Sequence, residues 1–95
     1  MTALLIARID VQVPERMQAY GAAAGPTIAA HGGEFVARGQ FAGSLLGDGS
    51  ARAVAIIRFP SVDAANRWFS SPEYRALSEL RTAAADMEFT LFKAA

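Results

Sequence analysis

The sequence predicts an α+β sandwich built from four strands and two helical regions. Three observations lead there. Period-two alternation of apolar residues recurs in four short segments. Two longer stretches between them open with helix-start signals and carry apolar residues at helical spacing. The order along the chain is strand, helix, strand, strand, helix, strand. With 95 residues, positions 1–95 are expected to fold as a single domain.

The first strand is expected over residues 4–11, which are dense in branched side chains. Leu5, Ala7, Ile9 and Val11 share one face, and Leu4, Ile6, Arg8 and Asp10 share the other. Pro14 suits the first helical position, where its missing N–H is unpaired anyway, and Glu15 suits the positive end of the helix. Met17, Tyr20, Ala24 and Ile28 then mark the apolar stripe. Gly25-Pro26 predicts a kink or two helical pieces, because proline clashes with the carbonyl four residues back. His31 closes the helix, and Gly32 supplies a left-handed C-terminal residue.

Residues 35–40 read as the second strand, with Phe35, Ala37 and Gly39 on one face and Val36, Arg38 and Gln40 on the other. Residues 41–52 have the composition of a hairpin turn. The third strand is expected over residues 53–59, with Val54, Ile56 and Arg58 on a common face. Ser61 is an N-cap for a helix lined by Val62, Ala65, Trp68 and Phe69, and Ser71-Pro72-Glu73 repeats the start signal. A second helical piece follows, with Leu77, Leu80 and Ala84 as its stripe. Residues 88–93 form the last strand, where Phe89 and Leu91 alternate with Glu88, Thr90 and Phe92. The packing that fits this order is a ferredoxin-like βαββαβ sandwich, an antiparallel sheet in order 4-1-3-2 with both helices on one face.

Composition limits the partners. Nine Lys and Arg balance nine Asp and Glu, so net charge is zero and no basic stripe exists to hold a nucleic acid. Cysteine is absent, which excludes disulfide and thiolate chemistry and fits the reducing cytoplasm. The apolar start is broken by Arg8 and Asp10 and reads as a strand rather than a signal peptide, and no apolar run is long enough for a bilayer. Apolar and aromatic residues reach 53%, a large share for a chain this short.

That excess has a definite location. Two helices cover only one face of the sheet. The other face would carry Leu4, Ile6, Val36, Val54, Ile56 and Phe92, too apolar to stay in water, so a second copy is expected to cover it. The same face would carry Arg8, Asp10, Arg38, Arg58 and Glu88. Charges enclosed between two sheets must be paired or hydrated, which predicts a chamber able to hold a small carboxylate or aromatic ligand. The simpler alternative is that these charges only neutralise one another and fix the register of the interface.

The remaining candidates have two readings each. His31 is either a general acid or base at the chamber mouth or a helix-end histidine bonding free carbonyls. Tyr20, Trp68, Phe69 and Tyr74 fit the core better than a pocket wall. Arg75, Glu79 and Arg81 read as a solvated helix face, with Arg75 and Glu79 at ion-pair spacing. A lone histidine with scattered acids makes no metal site, and Gly47-Asp48-Gly49 is a turn rather than a phosphate loop. No cofactor is expected.

Several segments together resemble a known family. They are Ala7-Arg8-Ile9-Asp10-Val11, Ala30-His31-Gly32-Gly33-Glu34-Phe35-Val36-Ala37-Arg38-Gly39, Phe59-Pro60-Ser61 and Trp68-Phe69-Ser70-Ser71-Pro72-Glu73-Tyr74, with Leu80-Arg81 beyond. In this order the chain resembles the domain-of-unknown-function family thirteen-thirty, within the dimeric α+β barrel superfamily. The resemblance implies a ferredoxin-like subunit and a homodimer packed sheet against sheet, and it implies no settled activity. The chain departs from the family pattern at Gln40 and at Gly47-Asp48-Gly49-Ser50. Three functions follow as expectations. One is a homodimer that binds a small organic ligand through Arg8, Asp10, Arg38, Arg58 and Glu88. Another is an enzyme similar to the superfamily's cofactor-independent oxygenases and isomerases, with His31, Asp10 or Tyr20 moving a proton. The third is a dimer without a ligand.

Overall fold

A computed structural model describes residues 2–49 and 52–94 of the chain. The strands are β1 (Ala3–Val11), β2 (Glu34–Gln40), β3 (Ala53–Phe59) and β4 (Ala85–Lys93). The helices are α1 (Pro14–Ala30), α2 (Val62–Ser70), α3 (Pro72–Arg75) and α4 (Ser78–Ala84). The sheet order is β2-β3-β1-β4 with every pairing antiparallel, the ferredoxin-like order expected.

Local chemistry accounts for the boundaries. Pro14 opens α1, Gly32 takes φ 78° just after it, and the Gly33 N–H donates to the Ile28 carbonyl at 2.9 Å. A side chain at Gly33 would lie 2.5 Å from Ile28 and 2.8 Å from Phe59, so the α1–β2 turn packs this close only with glycine. Ser61 and Ser71 cap α2 and α3 through their hydroxyls, accepting from the N–H of Ala64 and of Tyr74. Residues 41–49 contain bends and no strand, and the Phe41 N–H donates to the Arg52 carbonyl at 2.7 Å. Ser50 and Ala51, part of the expected hairpin turn, lie outside the described residues.

Two expectations need correction. α1 runs unbroken through Pro26 rather than splitting. Ala22, whose carbonyl loses its partner to the proline, is exposed and open to solvent, while buried Tyr20, Ala24 and Ile28 hold the helix on both sides. The last helical region breaks between α3 and α4, at Ala76 and Leu77. Arg75 and Glu79 therefore lie on different helices, and no ion pair joins them among the described residues.

The core lies between the helices and one face of the sheet. Trp68, Tyr74 and Phe59 are its largest fully buried side chains. The Trp68 ring lies 4.2 Å from that of Tyr74 and 5.5 Å from that of Phe59, centroid to centroid. Its indole N–H donates to the Thr27 hydroxyl at 3.0 Å, joining α2 to α1.

Candidate functional site

A bulge in β2 decides where the site lies. Phe35 pairs with Ile57, but Ala37 pairs with Ile56, so Val36 is an extra residue between them. Side chains alternate along a strand, and one inserted residue moves every later side chain to the opposite face. Arg38 stands opposite Ala55, on the helix side, instead of joining Arg8 on the open side. Gln40 follows it to the helix side, and Ala37 and Gly39 take the open side. The Arg38 guanidinium stacks on the Phe35 ring, 4.1 Å from its centroid.

Arg38 there borders a pocket of about 390 Å³ between α1 and the sheet. Small residues on both walls leave the space. Gly21 and Ala24 of α1 face Ala7 of β1 and Ala55 of β3 across it. Ile9, Met17, Phe35, Ile57, Met87 and Phe89 add apolar surface. The polar side chains of its lining are Gln18, Tyr20, Trp68 and Arg38, with no carboxylate or histidine among them. Such a cavity, mostly apolar with a few polar groups, is the usual form of a small-molecule site.

Tyr20 forms part of the wall and is joined through its hydroxyl to Tyr74. Its hydroxyl lies 2.6 Å from that of Tyr74, whose oxygen accepts from the Arg81 guanidinium at 3.1 Å. Arg81 also lies over the Phe69 and Tyr74 rings, so it is half-buried against aromatics and not part of a solvated face. Burial, then the hydrogen bond to Tyr74, pushes the Tyr20 hydroxyl far above the ordinary tyrosine range. That shift opposes a role for Tyr20 as a general base.

The other expected site residues lie elsewhere. Arg8 and Glu88 face each other on the open side of the sheet, paired at 3.3 Å. Arg58 pairs with Glu34 at 2.7 Å. Val54 stands opposite Arg8 while Arg58 stands opposite Leu4, which separates the two arginines by about 13 Å along the strands. Both pairs are largely exposed and each is worth about 1 kcal/mol or less in water. The Asp10 carboxylate accepts the Arg52 backbone N–H at 3.1 Å, tying the end of β1 to the start of β3. His31 Nδ1 lies 3.0 Å from the Thr27 carbonyl of its own helix end and does not line the pocket. Thus the expected five-residue cluster is divided: Arg8, Asp10, Arg58 and Glu88 share the open face, and Arg38 faces the helices. Among the described residues no three His, Cys, Asp or Glu side chains come together as metal ligands, and no helix is long and apolar enough to cross a membrane.

The model of the family described as Domain of unknown function (DUF1330) matches residues 2–95. The chain belongs to the DUF1330 family. No curated protein matches it. A solved protein of unknown function from Rhodopseudomonas palustris is 28% identical, with a TM-score of 0.81 over 99% of this chain and 82% of that one. SnoaB, a cofactor-independent oxygenase from Streptomyces nogalater, is 21% identical, with a TM-score of 0.72 over 99% of this chain and 93% of that one. A dimeric ferredoxin-like protein of unknown function from Thermobifida fusca is 20% identical, with a TM-score of 0.66 over 99% and 92%. These neighbours share the DUF1330 chain's ferredoxin-like fold.

Two positions in this DUF1330 member escaped the reading of its sequence. The bulge at Val36 has no local signature, since either face of β2 can be read as the inner one. The pocket did have a signal, in the small residues Ala7, Gly21, Ala24 and Ala55 at facing positions.

Proposed function

We propose that the chain acts as a homodimer, each subunit holding a small organic molecule in the pocket beneath α1. The molecule is mainly apolar or aromatic and carries an anionic group that meets Arg38. The carrying observation is the placement of Arg38 at the border of an otherwise apolar cavity. Among the described residues no carboxylate lies within ion-pair distance of Arg38, so a ligand carboxylate can take its fork of donors. Half-buried Leu4, Ile6, Val54 and Ile56 on the helix-free face support the pairing of subunits. The Thermobifida fusca neighbour, described as dimeric, agrees with it. The lack of cysteine fits a cytoplasmic protein.

Calorimetric titration tests the role of Arg38. With 2-naphthoate as probe, Arg38→Gln should weaken binding about tenfold, while the neutral 2-acetylnaphthalene changes by less than about twofold. Equal loss for both probes, or no binding of either at millimolar concentration, contradicts the assignment.

Oxygenase chemistry without a cofactor, the activity named for the Streptomyces nogalater neighbour, is the second reading. An enclosed apolar space would shield a reactive substrate from water. That chemistry also needs a proton acceptor. The pocket lining holds no carboxylate or histidine, and Tyr20 stays protonated. The geometry favours binding.

A further inference from the structure

Arg81, Tyr74 and Tyr20 form a hydrogen-bonded chain with one proton too many. The two hydroxyl oxygens lie 2.6 Å apart, and the Arg81 guanidinium donates to the Tyr74 oxygen at 3.1 Å. Both tyrosines are more than nine-tenths buried, Tyr20 at 6% exposure and Tyr74 at 1%. Among the described residues neither hydroxyl has another hydrogen-bond partner. A guanidinium only donates, so the chain holds three donor groups and two contacts. One phenol proton is left without an acceptor among the described residues.

The direction of the chain determines which. Were Tyr20 to donate to Tyr74, the spare proton would belong to Tyr74, which does not line the pocket. When Tyr74 donates to Tyr20, the spare proton belongs to Tyr20, a residue of the pocket lining. A buried donor without an acceptor is costly, and the pocket is the one of these two places where a ligand can bring an acceptor. Donation by Arg81 into the Tyr74 oxygen makes Tyr74 the better donor, which favours the second direction.

We propose that the molecule held beneath α1 carries a carbonyl or carboxylate oxygen that accepts the Tyr20 O–H, and that Arg81, acting through Tyr74, is a positioning residue that sets the direction of that donation. This rests on the ligand-binding reading above and adds a chemical class to it: aryl ketones and aryl carboxylates are bound in preference to hydrocarbons of the same shape. A buried Tyr20 held in its protonated form suits this role.

The test compares 2-acetylnaphthalene with 2-ethylnaphthalene, which differ in the acceptor oxygen, by calorimetric titration of the full chain. Tyr20→Phe should lower ketone affinity about tenfold and hydrocarbon affinity less than about twofold. Arg81→Met should lower the ketone-to-hydrocarbon affinity ratio about threefold, with Arg81→Lys restoring part of it. The Arg81 variants decide the question if Tyr20→Phe does not fold. A ratio unchanged in both Tyr20→Phe and Arg81→Met overturns the proposal while leaving the pocket a ligand site. Failure of 2-naphthoate and both neutral probes to bind the unaltered chain overturns the proposal together with the reading beneath it.

Discussion

Replacing Trp68 by alanine should cost the fold about 3–5 kcal/mol. Trp68 is 1% exposed and touches the rings of Phe59, Phe69, Tyr74 and Phe89. Its removal leaves a cavity on the apolar side and takes away the indole N–H that the Thr27 hydroxyl accepts, while Thr27 keeps its own donation to the Ala24 carbonyl. A chain of this size is stabilised by about 5–15 kcal/mol, so the variant sits near the edge of folding. Urea denaturation followed by far-ultraviolet circular dichroism is the suitable measurement, because Trp68 is the only tryptophan. Both proteins must be compared at equal concentration, since association adds to apparent stability. A loss below about 1 kcal/mol would mean that the centre of the core is misplaced.

The second large effect is on assembly. Ile56 lies in the middle of the helix-free face, paired with Ile6 on one side and Ala37 on the other. In a dimer packed sheet against sheet, Ile56→Glu would bury two uncompensated carboxylates at the centre of the interface. In the separated subunit the same side chain stands half-exposed on the open sheet face, where its carboxylate reaches water. Sedimentation equilibrium at micromolar concentration should therefore give twice the chain mass for the unaltered protein and the chain mass for Ile56→Glu, with the circular dichroism spectrum unchanged. A monomeric unaltered chain, or a variant that stays dimeric, contradicts the proposed pairing.

The architecture was legible because its signals agree with one another. Strand alternation, the caps at Ser61 and Ser71, and the turn at Gly32 each point to the observed element. Whether α1 would stay one helix or split at Pro26 was not legible. It depends on tertiary support from Tyr20, Ala24 and Ile28, which outweighs a local proline cost. The candidate site was legible in part. Arg38 was singled out, but simple alternation placed it on the open face with Arg8. The bulge at Val36 overrides alternation, and it brings a charged residue to a side that hydrophobic patterning reserves for the core. A violation of pattern at a pocket border is where a functional site is expected to depart from folding rules. Arg81 was misread for a related reason. A charged residue on a short helix reads as solvated until the aromatic cluster of Phe69 and Tyr74 is seen around it.

The central claim is that ligand occupies the helix side of the sheet, beneath α1, and not a chamber between two sheets. Chemical-shift mapping of the isotope-labelled chain with 2-naphthoate tests it most directly. The largest perturbations should fall on Ala7, Gly21, Ala24, Ala55 and Arg38, with Leu4, Arg8 and Glu88 unmoved. Perturbations centred on Leu4, Arg8 and Glu88, with Gly21 and Ala24 unmoved, would place the ligand on the open face and contradict the account.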